Sequence, residues 1–141
     1  WELSVKSKEE LSPILAYSSE EMERELSKFT PAQNPPVGQE KPERVSSSSE
    51  VFARDVRVVA YILKEAKGSC EACTNPSPFT KPDGAPYLEV HHLRRLADGG
   101  SDTVQNAIAV CPNCHRELHH GRKKTALRDL VYSRASRVVR E

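Results

Sequence analysis

Four cysteines constrain the fold of this chain more than any other feature. The chain has 141 residues and no further cysteine. The four form two C-x-x-C pairs, Cys70 with Cys73 and Cys111 with Cys114. Two such pairs can close one tetrahedral Zn²⁺ site through four thiolates. The alternative, a disulfide within each pair, would be strained, and neither pair lies in the βαβ pattern of a thioredoxin-like redox motif. We therefore expect a structural zinc in a reducing compartment, and a cytoplasmic protein.

A hairpin is predicted between the two cysteine pairs. The run Tyr87–His92 has the β-branched and aromatic character of a strand, and Ala107–Val110 is typical of a second short strand. The turn residues Ala97–Asp102 lie between them. The two strands are therefore expected to pair across a long loop.

A short helix is predicted after the second cysteine pair. It covers Asn113–His120, with Pro112 at its start and Gly121 just past its end. His115 and His119 are four residues apart and would share one face of this helix. Strand, loop, strand, cysteine pair and helix together predict a small α+β domain, a ββα-metal unit with structural zinc and flanking helices.

The segment from Gly68 to Gly121 resembles the HNH endonuclease family, in the subgroup with three histidine metal ligands. The resemblance rests on His91-His92, Asn106 and His115-x-x-x-His119. It implies a treble-clef-like ββα-metal fold in which His91, His115 and His119 hold a divalent ion, either Mg²⁺ or a transition metal. It also implies that His92 is the general base and that Asn106 braces the loop that aims it. Many family members have Asp-His in place of His91-His92.

The chemistry of phosphodiester hydrolysis agrees with these roles. A neutral imidazole can take a proton from water near neutral pH. An ion with three protein ligands keeps positions open for phosphate and leaving-group oxygens. Adjacent residues of a regular strand point to opposite faces, so we expect the backbone to leave regular geometry near His92. Each histidine also has a structural interpretation, which we favour for His120 alone.

Charge is distributed unevenly along the chain. Residues 51–141 contain 15 Lys and Arg against 10 Asp and Glu, whereas residues 1–50 contain 6 against 10. A basic C-terminal part favours a polyanionic partner, here DNA, over an ordinary solvated surface. The candidate DNA-binding residues, which lie near the histidines in sequence, are Arg94, Arg95, Arg116, Arg122, Lys123 and Lys124.

Three regions are expected along the chain. Residues 1–30 are predicted to be a helical appendage, with capping boxes at Ser7–Glu10 and Ser18–Glu21. An apolar stripe on its second helix, formed by Met22, Leu26 and Phe29, suggests an interdomain or homodimer contact. Residues 31–50, rich in Pro, Ser and charge, are interpreted as a linker.

Residues 51–141 are interpreted as the nuclease domain. A helix is predicted over residues 54–67, and a closing helix over residues 125–138 that packs through Leu127, Leu130 and Val131. No stretch reaches the apolar length of a membrane span.

The pattern also resembles the nuclease module of McrA-like, modification-dependent restriction enzymes. That resemblance implies a metal-dependent DNA endonuclease whose target is chosen by a separate upstream reader domain. A homodimer would supply one active site for each DNA strand. Two other functions remain open: a non-catalytic zinc module that binds nucleic acid or protein, and a toxin-like or homing HNH nuclease.

Overall fold

The computed structural model describes residues 13–141, so the capping box predicted at Ser7–Glu10 lies outside the described residues. The chain divides into two units, Trp1–Glu50 and Val51–Glu141. In the first unit, helix α1 (Ser19–Lys28) begins where the second capping box was predicted. The Ser18 hydroxyl accepts a hydrogen bond from the backbone N–H of Glu21 at 3.1 Å, which satisfies one of the free amides at the helix start.

The predicted apolar stripe of α1 is open to solvent. Met22 is 47%, Leu26 62% and Phe29 56% exposed. No residue of α1 is buried, so local capping and helix propensity, rather than burial, define this helix.

The second unit is built around a two-stranded antiparallel hairpin. Strand β1 (Glu89–His92) pairs with β2 (Ala107–Val110) in a register that sets His91 opposite Ile108 and His92 opposite Ala107. Strand β1 is two residues shorter than predicted, because the Tyr87 backbone N–H is taken by the carbonyl of Phe79 at 3.0 Å. The Tyr87 and Phe79 rings also stack, with centroids 4.6 Å apart.

Both faces of the hairpin are covered. Three helices do this: α2 (Val56–Ala66) on one face, and α3 (Pro112–His120) with α4 (Lys124–Arg134) on the other. The core on the α3 and α4 side includes Ile108, Val110, Leu118 and Val131. The core on the α2 side includes Ile62, Ala66, Ala107 and Ala109. The large and small residues of β2 therefore alternate between two cores, as the two-residue period of a strand requires.

The flanking helices agree with prediction in position and differ in detail. Helix α2 starts at the Asp55 N-cap and ends where Lys67 adopts a left-handed conformation, with φ 53°. Helix α4 ends at Arg134, four residues before the predicted end. Its Val131 is fully buried, but Leu130 is 45% exposed and does not pack as predicted.

Among the described residues, no helix is both long and apolar enough to cross a membrane.

Candidate functional site

The four cysteines meet in one cluster, and the hairpin brings them together. The first pair is held beside β2, because the Glu71 backbone N–H donates to the carbonyl of Ala109 at 2.8 Å. The second pair follows β2 directly, and Cys111 is the N-cap of α3. In each pair the later backbone N–H donates to the earlier sulfur, Cys73 to Cys70 and Cys114 to Cys111, both at 3.4 Å.

The geometry of this cluster fits a zinc ion. All four sulfurs lie within 4.8 Å of one another, and no cysteine forms a disulfide. Zn–S bonds of about 2.3 Å in a tetrahedron require sulfurs roughly 3.8 Å apart. Burial raises the pKa of the Cys114 and Cys73 thiols, so buried thiolates at this position need a cation to compensate their charge. The cysteine cluster could therefore hold zinc.

Three histidines converge in a second cluster, which β1 and α3 build together. The ring centroids of His91, His115 and His119 are 4.8 to 5.2 Å apart, and their nearest ligand atoms lie within 4.8 Å of one another. His115 and His119 share a face of α3 because they are one turn apart. His91 faces them because its partner in the hairpin, Ile108, lies on the α3 side. These three side chains, proposed as ligands from sequence, could hold a metal ion.

One of these imidazoles is oriented by a carboxylate. Glu89 Oε1 lies 2.9 Å from His115 Nδ1, and the hydroxyl of Tyr87 donates to Glu89 Oε2 at 2.6 Å. The Tyr87 hydrogen bond, followed by that of His115, lowers the pKa of Glu89. A carboxylate on Nδ1 fixes the ring so that Nε2 faces the cluster, which is the usual support of a metal-binding histidine. Neither Glu89 nor Tyr87 was singled out from sequence.

The histidine cluster favours neutral imidazoles. Burial, followed by the charges of His119 and His115, lowers the pKa of His91 to about 3. Burial and the neighbouring His115 also lower the pKa of His119. Neutral imidazole is the form that binds metals, so these ligands are ready for an ion at neutral pH.

His92 lies on the other face of the hairpin. It is the last residue of β1 and pairs with Ala107, and the departure from strand geometry expected near His92 begins at Leu93. The His92 ring is therefore on the α2 side, where Nε2 lies 2.9 Å from Asp102 Oδ1. The other oxygen of Asp102 accepts the backbone N–H of Asp55 at 2.6 Å. Asp102 was predicted only as a turn residue, and its contacts were not foreseen.

Asn106 ties together the two ends of the loop between the strands. Its side chain is fully buried. Its Oδ1 accepts the backbone N–H of Arg94 at 2.9 Å, while Nδ2 donates to the carbonyls of Arg94, at 2.9 Å, and Ser101, at 2.7 Å. These three bonds satisfy the buried amide and hold the loop that carries Asp102.

A cavity of about 490 Å³ opens beside the histidine cluster and is lined by His91 and His119. Of the six cations proposed from sequence, Arg94, Arg95 and Lys124 line it, and Arg116, Arg122 and Lys123 do not. Two further arginines, Arg128 and Arg140, line the cavity and were not proposed from sequence. The cavity therefore combines potential metal ligands with positive charge.

Comparison with known proteins agrees with this geometry. Residues 70–121 match the HNH endonuclease family. The chain is 46% identical over 103 residues to the type IV methyl-directed restriction enzyme EcoKMcrA of Escherichia coli (strain K12), a match that covers 73% of this chain and 37% of that protein. This chain thus spans well under half the length of that relative. A shorter match, 44% identical over 34 residues, is to Anaredoxin of Nostoc sp. (strain PCC 7120 / SAG 25.82 / UTEX 2576) and covers 24% of this chain and 45% of that protein.

A solved structure is similar as well. The type IV phosphorothioation-dependent restriction endonuclease ScoMcrA superimposes with a TM-score of 0.51 and 35% identity, over 57% of this chain and 16% of that one. The sequence match, the shared fold and the clustered cysteines and histidines lead to one conclusion. Residues 70–121 form a domain of the HNH endonuclease family, homologous to the corresponding part of McrA.

Proposed function

We propose that residues 51–141 are the DNA-cleaving domain of a modification-dependent restriction enzyme, and that they hydrolyse phosphodiester bonds with a divalent ion held by His91, His115 and His119. The observation that supports this most is the histidine cluster beside a cavity lined by cations. A non-catalytic zinc module would need the four cysteines alone. Three imidazoles that could hold an ion, beside a cavity lined by cations, suit phosphodiester cleavage, which needs a Lewis acid and positive charge near the phosphate.

In this proposal the two clusters have different ions. Zinc at the four cysteines fastens the first cysteine pair to α3. A divalent ion at the histidines would act as a Lewis acid toward the phosphate and the leaving oxygen. Imidazole donors suit transition metals, whereas Mg²⁺ prefers oxygen ligands. The donor set therefore favours Mn²⁺, Ni²⁺ or a similar ion over Mg²⁺.

We assign the general base to His92, with Asp102 as its positioning residue. When Nε2 carries the proton of the bond to Asp102, Nδ1 is an acceptor that can take a proton from water. The carboxylate stabilises the imidazolium that results. Since His92 and His91 leave β1 on opposite faces, this role requires the attacking water to approach over the end of the strand. Asn106 would brace the loop that holds Asp102 in place.

The target choice is assigned to a separate part of the protein. One relative is described as methyl-directed and the other as phosphorothioation-dependent, so proteins that share this domain differ in the modification they recognise. The matched part covers 37% of the first and 16% of the second. We therefore propose an upstream reader domain, joined through the linker at residues 31–50. The exposed stripe of α1 would contact that domain or a second copy of this chain.

Cleavage of supercoiled plasmid tests the proposal. The purified chain is incubated with Mg²⁺, Mn²⁺ or Ni²⁺ beside two variants, His119→Ala and His92→Ala, and beside Lys64→Ala, which removes a charge from the exposed surface of α2. We expect metal-dependent nicking by the parent and by Lys64→Ala, and loss of nicking in both histidine variants with zinc retained. Equal inactivity of all four proteins, despite bound zinc and bound DNA, would favour the non-catalytic module.

The choice of substrate has its own test. The full-length protein is assayed on plasmids with and without methylated bases. Preferential cleavage of modified DNA supports the restriction role, whereas equal cleavage of both would favour a toxin-like or homing nuclease.

A further inference from the structure

Two cations of helix α4 lie on the wall of the cavity. Lys124 and Arg128 are one helical turn apart, so they share a face of α4, and both line the cavity with His91 and His119. Helix α4 follows the segment that matches the HNH family, which ends at residue 121. These two side chains thus line the histidine site from outside the segment that the family model matches.

The arginines of the cavity differ in whether their charge is already compensated. Arg95 pairs with Asp98 at 2.8 Å. Arg140 pairs with Asp129 at 2.8 Å, and its guanidinium lies 4.2 Å from the ring centroid of Tyr132. Arg94 donates from Nε to the carbonyl of Asp98 at 3.1 Å.

Arg128 differs from these three. Like Arg94 it has no ion pair among the described residues, but its side chain also forms no hydrogen bond with them, and its Nε is buried without a partner. A buried donor of a charged group is costly to leave unsatisfied. The buried Nε is out of reach of a ligand from solvent, so the donors that Arg128 can offer to an acceptor in the cavity are its terminal nitrogens.

Neither carboxylate that lines the cavity forms an ion pair with Arg128. Asp98 is occupied by Arg95, and Glu141 accepts the backbone N–H of Ser101 at 2.9 Å. The two terminal nitrogens of a guanidinium lie in one plane, which matches two oxygens of a phosphate. The cavity volume of about 490 Å³ also leaves room for a sugar-phosphate segment beside the histidines.

We propose that Arg128 and Lys124 form a phosphate-binding subsite for DNA next to the histidine cluster. Arg128 binds two non-bridging oxygens of one backbone phosphate through its two terminal nitrogens, and Lys124 adds a second positive charge. The subsite holds the strand in position and reads no base. This inference rests on the proposed nuclease function, and it extends that function to a helix outside the matched family segment.

Binding of a short DNA duplex at several salt concentrations tests the subsite. All proteins carry His119→Ala so that the DNA stays intact, and zinc content is measured for each. Arg128→Ala is compared with Lys64→Ala, a matched control that removes one positive charge from the exposed face of α2. We expect Arg128→Ala to weaken binding about 10- to 100-fold and to reduce the slope of log affinity against log salt by about 0.9. Lys64→Ala should leave both unchanged.

A second variant separates charge from shape. Arg128→Lys keeps the positive charge but loses the planar guanidinium. The slope of log affinity against log salt should therefore return to the value of the parent, while the affinity stays below that of the parent. This variant also serves if Arg128→Ala lowers the stability of α4. Equal affinities and slopes for the Arg128 and Lys64 variants would overturn the subsite.

The same measurements distinguish failure of the subsite from failure of the proposed function. A parent chain that neither binds nor cuts DNA would overturn both. A parent chain that cuts plasmid, with Arg128 variants that bind as the control does, would overturn the subsite alone.

Discussion

The cysteine and histidine clusters are attached to the same hairpin and to the same helix, α3, yet they differ in closure. The cysteines offer four ligands, and Cys70 and Cys114 are 1% and 7% exposed. The histidines offer three ligands, and their open side faces a cavity of about 490 Å³. A site with four protein ligands has no position left for a substrate, whereas a site with three does. One helix thus joins a cluster suited to folding to a cluster suited to chemistry.

The largest effect is expected where the closed cluster is broken. Cys114→Ser should remove zinc and unfold the second unit, because structural zinc sites contribute about 10–16 kcal/mol of apparent binding free energy to folding. Circular dichroism and zinc content measure this directly. His119→Ala is the matched substitution in the other cluster, on the same helix, and it should leave both readouts unchanged. A Cys114→Ser protein that folds without zinc would contradict the idea that the cysteine cluster, unlike the histidine cluster, is needed for folding.

The reverse pattern is expected for activity. His119→Ala should lower cleavage by at least about 10³-fold, since it removes one of the three proposed ligands of an ion that would contribute several kcal/mol to transition-state stabilisation. The single-turnover rate on plasmid DNA measures this, with Lys64→Ala as the control. If His119→Ala cleaved at the rate of Lys64→Ala, the histidine cluster would have no part in the reaction.

Local sequence patterns predicted much of this arrangement. Hairpin and helix positions followed from apolar alternation, turn residues and caps. The i to i+4 spacing of His115 and His119 was enough to predict a shared face, which the structure contains. Such features depend on residues within one or two turns of each other, so they can be read without tertiary contacts.

The remaining features depend on contacts between distant residues. The direction of the His92 side chain follows from a hairpin covered on both faces, so strand alternation separates it from His91. Its neighbour Asp102 is held by the backbone of Asp55, 47 residues earlier. Arg128 was overlooked because a helical arginine is normally solvated, and only the packing of α4 shows its buried Nε.

The acid sensitivity of the histidine cluster is a third, smaller effect. The pKa of His91 is lowered from 6.5 to about 3 in the folded protein, so the unfolded chain binds the proton more readily between these values. The free energy of unfolding therefore contains the full contribution of neutral His91 above pH about 6.5. That contribution falls as the pH is lowered from about 6.5 toward about 3, by up to about 1.4 kcal/mol for each pH unit.

Urea unfolding of the zinc-loaded protein at pH 7, 6 and 5 measures this loss. This range stays above the ordinary pKa of the carboxylates Glu89 and Asp102, 4.5 and 3.8. His91→Gln should flatten the pH dependence, and the contribution of the cysteine cluster cancels in the difference between the two proteins. Equal slopes for parent and variant would mean that His91 carries no such penalty.

The smallest effect is expected from Glu89, the carboxylate that orients one of the proposed metal ligands. Glu89→Gln should weaken metal binding at the histidine cluster about 10- to 100-fold, because it removes the negative charge 2.9 Å from His115 Nδ1. Tyr87→Phe, which removes only the hydroxyl bonded to Glu89, should have a smaller effect in the same direction. Titration calorimetry with Mn²⁺ or Ni²⁺ on the zinc-loaded protein measures the affinity, with Glu65→Gln on the exposed face of α2 as the control.

Because Glu89 does not contact the cysteines, its substitution should leave bound zinc in place. A loss of zinc would show that the two clusters are not supported independently. An affinity equal to that of the control would show that Glu89 does not support metal binding at His115.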